Sequence, residues 1–189
     1  MKKFLFPAGM FLIYFAILFA CEFLGFFSPL LWVYFGVVAA LLAATPVMAA
    51  VARFNKIGMI AMFPIIYLLI MILLGEASQP VVIAGVVLVS ILAEVVRRLV
   101  GYKKQLSLRL GYAIAAVASG MYILPLWTKT EWYYEAAIEE MFSQDYADGL
   151  MKFATPLGLI AQIALSFAVG YLGTLIAEIL FKNKVKVSE

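Results

Sequence analysis

The stretch 156-PLGLIAQIALSFAVGYLGTLIAEILF-181 decides the fold, because between Pro156 and Phe181 it carries a single charged residue, Glu178. Roughly 20 consecutive apolar residues are enough to cross a bilayer as a helix. In lipid only helices and closed barrels satisfy their own backbone hydrogen bonds, and barrel strands alternate polar and apolar residues. This run is continuous, so it reads as a spanning helix. It is entered at Thr155-Pro156. Proline suits the first helical position, where no N–H is needed, and Thr155 is a suitable cap.

Working outward, five more runs have the same character: Phe4 to Gly25, Pro29 to Val51, Ile57 to Leu74, Pro80 to Val96 and Leu106 to Trp127. Ser28-Pro29 and Gln79-Pro80 repeat the entry pattern, and Pro64 inside the third run predicts a kink. The chain is 66% hydrophobic and 13% charged, with a mean hydropathy of +1.06. Soluble domains average roughly half apolar and a quarter charged, so the natural solvent is a bilayer.

Lys and Arg placement sets the orientation. Lys2, Lys3, Arg53, Lys56, Arg97, Arg98, Lys103, Lys104, Arg109, Lys182, Lys184 and Lys186 fall on one side. Only Lys129 and Lys152 fall on the other, together with Glu76, Glu131, Glu135, Glu139, Glu140, Asp145 and Asp148. The expected fold is therefore all-α. It is one integral membrane bundle over residues 1–189, with six transmembrane helices and both termini cytoplasmic. Lys2, Lys3 and Leu18-Phe19-Ala20-Cys21 imitate a lipoprotein signal. Bulky Phe19 and the apolar chain after Cys21 argue against that reading.

The segment from about 128 to 155 reads as an outside cap of short helices. Thr128 with Glu131 fits a capping box. Trp132, Tyr134, Ala136, Ile138 and Phe142 recur at helical spacing, and Ser143 caps a second helix carrying Tyr146 and Leu150. Glu94 is expected to pair with Arg97 or Arg98, and Glu178 with Lys182, one helical turn away.

No catalytic constellation is present, and the expectation is no enzyme. The chain has one Cys and no His, which argues against disulfides and against thiol or imidazole metal sites. No metal and no cofactor are expected. There is no nucleotide-binding loop, so any ATP-driven work needs a partner. The net charge of +3 reflects a basic inner face rather than nucleic-acid binding.

Candidates for substrate contact come from the outer half. Glu22 lies within an apolar helix, where a charge costs roughly 2.5–3.5 kcal/mol at mid-membrane and less near an interface. It either faces a pocket or reaches the headgroups. Trp32, Tyr34, Trp127, Trp132, Tyr133 and Tyr134 suit a flat heterocycle, and an interfacial aromatic belt has the same composition. Gln79 and Gln162 complete the set. Helix N-termini at the outer end favour an anionic ligand; the acidic loop favours a cationic or neutral one. Ala16 and Ala20, four apart on the first helix, allow close approach of another helix, as do Ala40 with Ala44 and Ala116 with Gly120.

Taken over nearly its whole length, the chain resembles the substrate-binding S components of energy-coupling factor (ECF) transporters, in the subgroup called Trep_Strep or MptD-like. The resemblance is carried by Ile91-Leu92-Ala93-Glu94, Gly101-Tyr102-Lys103 and Gly111-Tyr112. It continues through Leu124-Pro125-Leu126-Trp127, Tyr133-Tyr134, Asp145-Tyr146-Ala147, Leu150-Met151, Thr155-Pro156 and Gly170-Tyr171-Leu172-Gly173. It implies a binder of a small-molecule micronutrient, a vitamin or precursor. Such a binder docks on a transmembrane coupling protein driven by two ATPase subunits and topples to carry substrate inward. The family's A-x-x-x-A docking face matches Ala16 and Ala20. A solitary secondary carrier or channel, and a structural membrane protein without ligand, are the alternatives.

Overall fold

Helix starts follow from local chemistry. Ser28 Oγ accepts from the Leu30 N–H at 3.3 Å, Thr155 Oγ1 from the Gly158 N–H at 3.1 Å, and Ser143 Oγ from the Tyr146 N–H at 3.2 Å. Each satisfies a donor that a first turn leaves without an intrahelical partner. In this computed structural model, which describes residues 2–139, 143–181 and 185, the elements are α1 (Lys2–Gly25), α2 (Pro29–Leu42), α3 (Ala44–Phe54), α4 (Met59–Leu73), α5 (Pro80–Val100), α6 (Gln105–Ala116), a 3-10 segment (Val117–Ile123), α7 (Pro125–Thr128), α8 (Thr130–Glu139), α9 (Gln144–Met151) and α10 (Pro156–Phe181). Among the described residues every regular element is helical. The expectations placed on Glu140, Phe142, Lys182, Lys184 and Lys186, and on the side chains of Lys2 and Lys3, lie outside the described residues.

Four stretches are long and apolar enough to cross a membrane: Leu5–Gly25, Pro80–Val100, Gln105–Ile123 and Pro156–Phe181. The pair α2 and α3, bent by 42°, forms a fifth if taken as one broken span. The apolar helix α4 has 15 residues, about 22 Å of rise, and runs as one helix through Pro64.

Two expected continuous helices are interrupted. The second run breaks at Ala43 because Pro46 has no N–H for the Leu42 carbonyl, and its ring crowds that group. The strand of hydrogen bonds lost there is partly replaced: the Tyr112 hydroxyl donates to Ala40 O at 2.7 Å. The fifth run tightens into a 3-10 turn after Ala116. Ser119 Oγ donates to Ala116 O at 2.7 Å, a local bond that competes with the helix ladder, and Pro125 supplies no N–H to Met121 O. The expected capping box also fails: the Thr128 hydroxyl donates back to Leu124 O at 3.1 Å, and α8 begins two residues later.

The core is closed by small residues on α10. Gly158, Gln162, Ser166, Gly170, Gly173, Thr174 and Ala177 form its buried stripe. A Cβ on Gly173 would stand 2.9 Å from Leu41 O, and one on Gly170 2.8 Å from Ala116 Cβ, so the backbones meet as only small residues allow. On α1, Tyr14, Leu18 and Cys21 face inward, while Ala16 and Ala20 are exposed on the far side.

Contacts sort the turns into two ends. Phe6 at the start of α1 lies 6.3 Å from Phe54 between ring centroids. Asn55 Nδ2 donates to Tyr102 O at 2.9 Å, and Arg97 Nη2 to Asn55 Oδ1 at 2.8 Å. Gln105 Nε2 donates to Glu178 Oε1 at 2.7 Å. The start of α1, the α3–α4 and α5–α6 turns and the close of α10 therefore share one end of the bundle. Helices α8 and α9 cap the other, where Tyr146 of α9 donates to Gly25 O and Lys129 Nζ to Gln79 Oε1 at 3.0 Å. Glu94 pairs with Arg97 at 3.7 Å, as expected. Glu178 takes its recorded ion pair across the bundle, with Arg109 on α6.

Candidate functional site

Beneath the cap lies a cavity of about 460 Å³. Its polar floor is built from three helices. Glu22 of α1 accepts at Oε2 from the Tyr67 hydroxyl of α4 at 3.1 Å. The Tyr67 ring meets Tyr122, on the 3-10 segment, edge-on at 5.4 Å. Tyr67 is fully buried, whereas Glu22 and Tyr122 both line the cavity. The buried Tyr122 hydroxyl finds no hydrogen-bond partner among the described residues. A buried hydroxyl normally has one.

The walls are aromatic. Trp32 of α2 donates from Nε1 to the Tyr133 hydroxyl of α8 at 2.6 Å, and Phe26 stands edge-on to Trp32 at 5.6 Å. This Trp32–Tyr133 bond joins the cap to the bundle directly over the cavity. Gly25 makes room for it, since a Cβ there would meet Trp32 Cε3 at 2.5 Å. On the cap, Gly149 packs against Pro29 with no space for a side chain, 2.6 Å from a built Cβ to Cγ. Burial lifts the Tyr146 hydroxyl, which anchors α9, to a pKa of about 12, so it remains a donor at neutral pH.

Of the sequence candidates, Glu22, Trp32, Gln79, Trp132 and Tyr133 are brought together as cavity lining. The other four lie elsewhere. Tyr34 packs edge-on against Phe153 at 5.8 Å; the α2 backbone leaves helical geometry at this residue, with φ −111° and ψ 16°. Trp127 spends its indole N–H on Phe153 O at 2.8 Å. Tyr134 donates to Asp148 Oδ1 at 3.0 Å, within the cap. Gln162 is fully buried in the α10 stripe, packed where Gly36 and Gly120 meet it.

Sequence reasoning missed Tyr67 and Tyr122. Each is a hydroxyl inside an otherwise apolar run, Ile65-Ile66-Tyr67-Leu68 and Gly120-Met121-Tyr122-Ile123. Such a group is expensive to bury without a partner, and that was the available signal. Phe19, Phe23, Phe26, Phe35 and Met71 also line the space, but nothing in an apolar helix distinguishes a cavity-facing phenylalanine from a packed one.

Chemically the site can hold a flat ring against aromatic faces and accept hydrogen bonds at its floor. Its charged lining residues are Glu22 and Glu76. Among the described residues no three His, Cys, Asp or Glu side chains gather to hold a metal ion.

The sequence profile of a family described as a hypothetical bacterial integral membrane protein (Trep_Strep) matches residues 1–186. No curated protein and no solved structure matches the chain.

Proposed function

Since the chain belongs to the Trep_Strep family of bacterial integral membrane proteins, we propose that it is the substrate-binding subunit of an ATP-driven importer of the ECF type, taking up a small micronutrient. The observation that carries this reading is the cavity of about 460 Å³ under the cap, a size within the roughly 300–1,000 Å³ of small-molecule sites. In this reading α4 is a sixth span, both termini are cytoplasmic, and the cavity opens toward the outside of the cytoplasmic membrane. The exposed Ala16 and Ala20 face of α1 docks a transmembrane coupling protein that carries two ATPase subunits. Toppling of the docked bundle then delivers the substrate inward. Absence of a nucleotide loop from the sequence supports the need for such partners.

The test is affinity capture from detergent-solubilised native membranes, with mass spectrometry of the proteins retained. A coupling protein and two ATPases are expected, and they should be lost when Ala16→Leu and Ala20→Leu are combined. A lone protein, or partners indifferent to the double change, overturns the proposal. Glu22 favours one rival, a solitary carrier coupled through a buried ionisable group. Ion-gradient-dependent uptake by the purified chain in vesicles would support that rival.

A further inference from the structure

We infer that the cavity under the cap selects a planar aromatic cation. This rests on the binding-subunit reading and names the chemical class of its ligand. The first observation is the charge of the lining: Glu22 and Glu76 are acidic, and among the described residues no lysine or arginine lines the space. Lys129, at the rim, is engaged with Gln79. The second is the acceptor at the floor. Glu22 uses Oε2 for Tyr67, which leaves Oε1 without a hydrogen-bond partner among the described residues.

The third observation weakens the argument for an anion. Helix N-termini attract anions through free N–H groups, but here two of the outer-end helix starts spend one of them on a side-chain cap. Ser28 takes the Leu30 N–H and Thr155 takes the Gly158 N–H. Gln79 O accepts from Val82 and Ile83. Neither Ser28 nor Thr155 lines the cavity. An anion would meet the carboxylates of Glu22 and Glu76, with no lysine or arginine among the described lining residues to offset them. A cation would pair with Glu22, which relieves the penalty on a charge held away from water. Its ring would also meet Trp32, Phe26 and Tyr133, whose faces attract positive charge.

Three probes of one shape test this: benzamidine as the cation, benzamide as the neutral amide and benzoate as the anion. Binding is read on the purified full chain in detergent by quenching of tryptophan fluorescence. Trp32 and Trp132 line the cavity and Trp127 does not. Benzamidine should quench saturably and at least tenfold more tightly than benzamide, and benzoate should give no saturable change. Glu22→Gln keeps an acceptor for Tyr67 and should weaken benzamidine at least tenfold while leaving benzamide unchanged. Glu76→Gln removes the other acidic lining group and should weaken benzamidine several-fold while leaving benzamide unchanged, and it serves as the test if Glu22→Gln does not fold. Benzoate binding as tightly as benzamidine, no saturable benzamidine binding, or indifference to the variants overturns the inference. The capture experiment above fails separately: cation binding without partners sinks only the transporter reading, and partners with anion binding sink only this one.

Discussion

Gly120 and Gln162 occupy space that only one side chain can have. A Cβ at Gly120 would stand 2.1 Å from Gln162 Nε2, 3.0 Å from its Cδ and 3.1 Å from its Cγ. The obstacle is therefore a flexible side chain. At Gly36 the nearest obstacle is backbone, Gly120 N at 2.8 Å, with Ser119 C and Gln162 Nε2 each at 3.0 Å. Gly120→Ala and Gly36→Ala should each destabilise the protein by about 1–3 kcal/mol through overpacking. Adding Gln162→Ala should restore much of the loss in the Gly120 variant and less in the Gly36 variant, where the backbone of Ser119 and Gly120 stays in the way. Gln162 itself contributes two buried amide atoms that find no hydrogen-bond partner among the described residues. Replacing such a group with an apolar one of similar shape is near neutral or stabilising. Gln162→Met should therefore unfold at the same temperature or higher, and it should leave the benzamidine affinity unchanged, because the residue is off the cavity. Thermal unfolding in detergent, followed by tryptophan fluorescence, checks the stability claims.

Breaks inside helices shape this bundle as much as the helices do. Where α2 ends at Leu42, the Ala40 carbonyl is held by the Tyr112 hydroxyl at 2.7 Å, in a buried setting. Tyr112→Phe removes that donor and leaves the carbonyl unsatisfied away from water. The expected loss is about 1–3 kcal/mol, seen as a lower unfolding temperature with no loss of probe binding. An unchanged melt would mean that the break is held by packing against Gly173 alone. These breaks were only partly legible in the sequence. Helix starts at Pro29, Pro80 and Pro156 could be read, because proline and its capping neighbour act within one turn. The break at Ala43 hid inside a run whose average hydropathy is high, although Pro46 carried the signal through its missing N–H. The same limit applies to the site. Glu22, Trp32 and Tyr133 were legible as polar or amphipathic groups near the outer boundary. Their separation from Tyr34 and Trp127 was not, because interfacial aromatics have the same composition whichever way they point. At Tyr34 the direction is set by a local departure from helical backbone angles. Tyr122 lines the cavity from a 3-10 turn, a local tightening that the apolar run around it does not announce.

At the scale of the whole molecule, the count of membrane crossings turns on α4. Its 15 residues rise about 22 Å, less than the roughly 30 Å of a hydrocarbon core. Yet the turn before it is tied through Asn55 to Tyr102, at the end where both α1 begins and α10 closes. The turn after it is tied through Gln79 to Lys129, at the cap end. Helix α4 thus connects opposite ends of the bundle, and local bilayer thinning or flanking polar residues can absorb the shortfall. If it crosses, six spans put the cap outside and the α5–α6 turn inside, consistent with Lys103 and Lys104 in that turn. If it does not, five spans place Lys103 outside. Cysteine labelling in intact cells separates the two. Cys21 is buried and is the chain's one cysteine, so Cys21→Ser supplies the background. In that background Glu76→Cys and Gln144→Cys, both at exposed positions, should react with a membrane-impermeant thiol reagent added outside. Lys103→Cys, also exposed, should react only after the cells are permeabilised. Labelling of Lys103→Cys in intact cells would place the α5–α6 turn outside, and the cavity could then no longer open where the proposed uptake requires it.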